Sequence, residues 1–201
     1  IDIHIREVLG DLLNLNKENV NNKYIRALMF QLFENNGVIK RDLVREVVKS
    51  IKTDERKKIW DLGIKIGRYH IYLPKMLKPK AVSLRISLWK LFYQLSESYN
   101  IPRSGLNFLK DNKINKNFLL LCGFEKFKNY FVRIDILEKL FLKILNKSDK
   151  RRFKIDSEMM NLLGCNKEDF YNLMLNMNYK KTKETDTYFY AGETKKKTKF
   201  V

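Results

Sequence analysis

The chain has 201 residues, a formal net charge of +18 at pH 7 and 44% hydrophobic residues, so it can fold around a real core and is not a disordered polymer. Two cysteines, Cys122 and Cys165, exclude a disulfide scaffold and suit a reducing, cytoplasmic setting; two histidines, His4 and His70, exclude a His-rich metal site. No apolar run approaches the length of a membrane span, no signal-peptide pattern is present, and the start at Ile1 gives the expectation of a piece of a longer polypeptide.

The first half reads as helical. Ile5, Val8, Leu9, Leu12 and Leu13 share one face, and Ile25, Leu28, Met29, Leu32 and Phe33 form a second stripe that stops at Asn35-Asn36-Gly37, a C-cap signal. A third helix is predicted over Arg41 to Ile51 and a fourth from Thr53 to near Gly63, with Asp54 and Glu55 in its first turn. Ile64 to Leu73 switches to a β-like pattern broken at Gly67, which predicts a hairpin. Pro79 suits the first position of a helix carrying Ala81, Leu84, Leu88, Leu91, Phe92 and Leu95.

Residues 99–116 hold Pro102, Gly105 and several Asn and Lys, and read as a linker or long loop. Beyond it, Phe118 to Phe124 and Tyr130 to Ile134 look like short strands, Asp135 to Leu145 like an amphipathic helix, and Asn146 to Arg152 like a charged loop. Asp156 or Ser157 caps a short helix to Leu163, Gly164 turns the chain, and Asn166 caps a helix from Lys167 to Met177. Tyr179 to Tyr190 alternates as a hairpin would, with Lys180, Lys181 and Lys183 on it. The expected fold is mainly α with short β hairpins, an α+β class. It divides into a helical subdomain with a basic hairpin (1–98), the linker (99–116), a winged-helix-like subdomain (117–191) and a basic tail (192–201). The order helix, helix, helix, hairpin also occurs from Tyr24 to Leu73, so an internal duplication is conceivable.

Charge is distributed unevenly. Between Asp61 and Glu97 lie Lys65, Arg68, Lys75, Lys78, Lys80, Arg85 and Lys90 and no carboxylate. Such a segment cannot neutralise itself and calls for an external anion, although a compositional bias toward lysine accounts for part of the total charge. Lys65, Arg68, Lys75, Lys78, Lys80 and Arg85 are the candidate phosphate contacts. Tyr69 and Tyr72 are candidates to stack on bases, and Lys180, Lys181 and Lys183 are candidate contacts on the wing. The third helix of the second subdomain starts Lys167-Glu168-Asp169, a poor N-terminus for reading bases. No phosphate loop, no acidic Mg²⁺ motif and no base paired with Cys165 can be found, so nothing here supports catalysis in this chain.

The word order Gly63-x-x-x-Gly67-Arg68, an apolar strand, Leu73-Pro74, then Leu77-Lys78-Pro79 before a Leu/Trp-rich helix resembles one family. It is similar to the region C-terminal to the motor in alphaproteobacterial superfamily 2 helicases, relatives of the RNA helicase of the mitochondrial degradosome. The run Arg26 to Glu34 with Gly37 and Arg41, the step Cys122-Gly123-Phe124, and Arg133-Ile134-Asp135-Ile136-Leu137-Glu138 also look like that region, in order. So do Leu162-Leu163-Gly164-Cys165, Glu168-Asp169-Phe170 and Asn178-Tyr179. Asn178 stands where the family has Gly, and Asn tolerates the left-handed turn. The resemblance implies a monomeric accessory region that holds nucleic acid beside upstream motor lobes. ATP and Mg²⁺ would belong to those lobes and no cofactor to this chain. Two other readings stay open: a free-standing winged-helix DNA-binding protein, and a structural or partner-docking domain.

Overall fold

The computed structural model describes residues 2–18, 20–95, 99–110, 115–183 and 187–192. Helix α1 (Asp2–Leu15) lays Leu9, Leu12 and Leu15 against α2 (Lys23–Glu34). Asn22 caps α2, its side chain accepting from the N–H groups of Tyr24 and Ile25 at 2.8 and 3.1 Å. At the other end Gly37, with φ +81°, donates its N–H to the Leu32 carbonyl at 2.7 Å. A Cβ there would stand 2.6 Å from Met76 Cγ, so backbone conformation and crowding both demand glycine.

Strand β1 (Val38–Lys40) follows, then a 3-10 turn (Arg41–Val44), α3 (Arg45–Lys49), α4 (Arg56–Asp61), β2 (Lys65–Ile66) and β3 (His70–Tyr72). The single helix predicted from Arg41 to Ile51 is therefore split. The Arg41 N–H donates to the Tyr69 carbonyl at 2.9 Å, which holds the start of that segment to the hairpin and out of helical register. The predicted hairpin is present, and β1 adds a third strand, with Ile39 opposite Ile71.

A 3-10 turn (Pro74–Leu77) leads to α5 (Pro79–Phe92), with Pro79 at its first position as expected. The segment read as a linker contributes β4 (Phe108–Lys110), which pairs with β6 (Tyr130–Arg133). Between them lie α6 (Lys116–Leu121) and β5 (Phe124–Phe127). Phe118 to Leu121, predicted as strand, is helical because Asn115 caps it, accepting from Asn117 and Phe118 N–H, and turns Phe118 and Leu119 inward together. A short apolar run does not reveal its period.

The last third comprises α7 (Ile134–Lys147), β7 (Arg152–Lys154), α8 (Ser157–Leu163), α9 (Lys167–Asn176), β8 (Tyr179–Lys181) and β9 (Thr187–Tyr190). The loop expected to end at Arg152 passes straight into β7, because Phe153 enters the core beside Tyr179 and Tyr188. Residues 193–201, which hold nearly all of the expected basic tail, and the polar centre of the last hairpin at 184–186 lie outside the described residues.

The result is an α+β chain of helices and small antiparallel sheets, in which one pattern recurs three times among the described residues. Each sheet runs first strand, third strand, second strand: β1-β3-β2, β4-β6-β5 and β7-β9-β8. Each first strand has three residues, ends in lysine (Lys40, Lys110, Lys154) and turns its middle residue (Ile39, Leu109, Phe153) inward. Each second strand follows a left-handed residue, Gly63, Gly123 or Asn178 at φ +73°, +87° and +66°, and opens with or directly after a buried side chain, Ile64, Phe124 or Tyr179. The hydrophobic core accordingly falls into three clusters.

Two buried carboxylates join these units. Glu138 of α7, 7% exposed, accepts the backbone N–H groups of Arg68, Tyr69 and His70 at 2.5, 2.8 and 3.0 Å. A side chain at Gly67 would run into that carboxylate. Glu125 of β5 receives His70 Nε2 and Lys40 Nζ, both at 2.7 Å. Burial alone would raise its pKa; the hydrogen bonds from His70 and Lys40 outweigh burial and leave it below the ordinary carboxylate value. Replacing Glu138 with alanine leaves three N–H groups unpaired. Glu138→Ala is expected to lower the unfolding free energy in urea by about 3 kcal/mol and to speed amide exchange at Arg68 to His70; unchanged stability would contradict the joint.

Candidate nucleic-acid interface

The Glu138 joint sets the β2–β3 turn against α7 and leaves a cleft of about 900 Å³ beside it. Lys65, Arg68 and Lys78 line it from the first unit, Arg103 from the 101–106 loop, and Lys139 from α7. Arg41 closes one side, its Nη1 donating to the Gly67 carbonyl at 2.8 Å. Among the described residues two carboxylates line the cleft, and both are engaged internally. Asp135 takes Arg133 Nε and Nη2 at 2.6 and 2.8 Å, and Glu138 holds the turn. Among the described residues, no carboxylate lies within ion-pair distance of Arg41, Lys65, Arg68, Lys78, Arg103 or Lys139. Six cations around two spent acids leave a positive field focused by the walls.

Arg68 faces outward because its backbone is consumed from within. Its N–H goes to Glu138, and its guanidinium lies 5.9 Å from the ring centroids of both Tyr69 and Phe141. The acid-free segment is thus a cleft wall only in part. Lys75 is turned away, 3.0 Å from Asp11 Oδ1. Lys80 stands exposed on the first turn of α5, outside the cleft lining. Lys180, Lys181 and Lys183 are exposed on the third unit and do not line the cleft either.

Two expected contacts, Arg85 and Tyr72, are corrected by their burial, and Tyr69 is half-buried. Arg85 is 3% exposed and donates to the carbonyls of Asn36, Met76 and Leu121 at 2.9, 2.5 and 3.1 Å. Burial pushes its guanidinium down to about 10, and its work is to tie α5 to the end of α2, the Pro74–Leu77 turn and α6. Tyr72 lines the cleft but is only 5% exposed, with its hydroxyl pushed up to about 12, first by burial, so it offers little ring surface for stacking. Tyr69 meets Phe141 edge to face at 5.9 Å, and its hydroxyl is pushed up by burial and by Tyr179.

Residues that the charge pattern did not reveal complete the site. Arg41 and Lys139 stand next to acids, Asp42 and Glu138, and Arg103 lies beyond Glu97, so the acid-free run from Leu62 to Ser96 marks none of them. Trp60, 77% exposed, lines the cleft from α4; its neighbour Ile59 is the buried residue of that helix. Ile101 and Leu142 are exposed apolar residues on the facing walls.

Neither thiol is activated by its surroundings. Burial raises Cys122 to about 12, and burial with the Asp169 charge raises Cys165 to about 11. Among the described residues no cluster of three His, Cys, Asp or Glu could hold a metal ion, and no helix is long and apolar enough to cross a membrane. Family models, curated proteins and solved structures include no match to the chain.

Arg85→Met keeps most of the volume and removes the three hydrogen bonds. It is expected to cost about 2 kcal/mol of stability in urea while leaving the affinity of the folded protein for an oligonucleotide unchanged; a loss of affinity at full stability would return Arg85 to the interface.

Proposed function

We propose that this chain is a nucleic-acid-binding accessory region of an ATP-dependent helicase, holding the sugar-phosphate backbone beside a motor carried elsewhere. The observation that carries the binding part is the cleft: cations from three separate segments converge, and the two acids that line it among the described residues are already bonded. Phosphate contacts of this kind fix a strand without reading its sequence. The helicase part is supported by the Gly63-to-Pro79 motif and the further motifs that resemble the post-motor region. A cytoplasmic, monomeric protein goes with this reading.

Within it, α2 to β3 and α7 to β9 serve as winged-helix-like units, with three helices, a strand between the first two and a closing hairpin. The last unit is a poor sequence reader. Asp169, in the first turn of its third helix, is taken by Lys110 at 2.8 Å, Tyr130 at 3.1 Å and Asn166 at 3.0 Å, so that helix end is built into the fold. This disfavours a free-standing regulator that selects one duplex site. A partner-docking role has one observation in its favour: Leu88, Leu91, Phe92 and Tyr93 are exposed together at the end of α5.

The test is a salt titration of oligonucleotide binding with Lys65→Glu/Arg68→Glu. The double variant is expected to lose at least about tenfold in affinity for single strands and to lower the slope of log K against log [salt] by about 1.4, two phosphate contacts at about 0.7 each. Unchanged affinity at low salt would refute the assignment.

A further inference from the structure

From the placement of Trp60 we infer that the cleft takes an unpaired strand, with a base stacked on the exposed indole and the flanking phosphates held by Arg41, Arg56 and Arg68. This rests on the nucleic-acid reading above and adds which form of nucleic acid the cleft selects.

Among the described residues the Trp60 indole has no ring or hydrogen-bond partner. α4 is anchored by Ile59, which is fully buried, while the next residue projects the largest side chain in the protein into the cleft mouth. The other tryptophan, Trp89, shows the contrast: its ring lies 5.6 Å from Tyr99, 6.1 Å from Tyr93 and 6.5 Å from Phe118.

The surroundings of Trp60 are of mixed character. Lys65, Arg68 and Lys78 share the cleft with it, and so do the exposed side chains of Ile101 and Leu142, 43% and 55% open to solvent. A duplex offers phosphates to the cations but keeps its base faces stacked inside, so indole, isoleucine and leucine would find no partner. A single strand offers both, phosphates on one side and free base faces on the other.

A second cavity extends the path. It measures about 480 Å³ and is lined by Arg41, Arg45, Lys49, Arg56 and Arg68, with Asp42 engaged by Arg45 at 2.5 Å. Arg41 and Arg68 line both cavities. Arg56 and Trp60 stand four residues apart, one turn of α4, on one face of the helix, Arg56 toward the second cavity and Trp60 toward the first. A strand passing over Arg41 and Arg68 would meet a cation, an aromatic face and further cations in succession along α4.

The experiment uses the full chain, an oligo(dT) single strand and a duplex of equal length. In a Trp89→Phe background Trp60 is the sole tryptophan, and its emission is expected to be quenched by the single strand and far less by the duplex. Trp60→Ala, in the otherwise unaltered chain and checked for folding by circular dichroism, is expected to lose about tenfold in single-strand affinity with the salt slope and duplex affinity unchanged. Trp60→Phe should recover most of the loss. If Trp60→Ala binds single strands like the parent while Lys65→Glu/Arg68→Glu does not, stacking is wrong and backbone binding stands. If neither variant changes binding, both readings fail together. Equal losses on single strand and duplex would show that Trp60 only shapes the protein surface.

Discussion

The Glu138 carboxylate, buried in α7 and filled by three backbone N–H groups of the β2–β3 turn, is the constraint from which the rest follows. A buried carboxylate is tolerable only when its charge is met by donors. Here the donors come from a turn about seventy residues earlier in the chain. Satisfying one acid therefore fixes where the first unit sits on the third. His70, the first residue of β3, is also held by Glu125 of the middle unit. Three separately packed cores thus meet at one hydrogen-bonded point. Gly67 is needed there because any larger residue would occupy the place of the carboxylate.

The same constraint makes the basic cleft. With its N–H turned inward, Arg68 sends its guanidinium outward, and the Gly67 carbonyl holds Arg41 next to it. The cleft is the gap left between the docked turn, the 101–106 loop and α7. Its cations are unneutralised because the two acids within reach are committed to the fold. An acid used for architecture in this way leaves the neighbouring field positive without any need for acids to be absent from the sequence.

This explains what could be read from residue order and what could not. The α2 cap at Asn22, its stop at Gly37, the Pro79 start of α5 and the helices flanking Gly164 are local events signalled by local residues. Element types failed where tertiary contacts decide: β1, β4 and β7 are three-residue strands whose only reason to be extended is a partner far away in sequence. Element order suggested a twofold duplication; the third copy of the strand pattern was not visible, because β4 lies in a segment without strand periodicity and only Gly63, Gly123 and Asn178, left-handed in the fold, mark equivalent turns. Among the candidate site residues, the absence of acids from Leu62 to Ser96 picked out Lys65, Arg68 and Lys78, which line the cleft, together with Arg85 and Tyr72, which are buried. Charge composition does not distinguish an arginine that faces water from one whose guanidinium is surrounded by three carbonyls. Trp60 was invisible for the converse reason, since an aromatic beside Ile59 in a helix reads as core until its exposure is known.

The claim that a few cleft cations, rather than the overall positive charge, grip a polyanion is tested most directly by lysine footprinting. The chain is acetylated at limiting reagent with and without saturating oligo(dT), and modification of each lysine is read by mass spectrometry. Protection confined to Lys65, Lys78 and Lys139, with Lys75, Lys80, Lys180 and Lys183 modified as before, is the expected result. Protection spread evenly over these lysines, or centred on the third unit, would contradict the account.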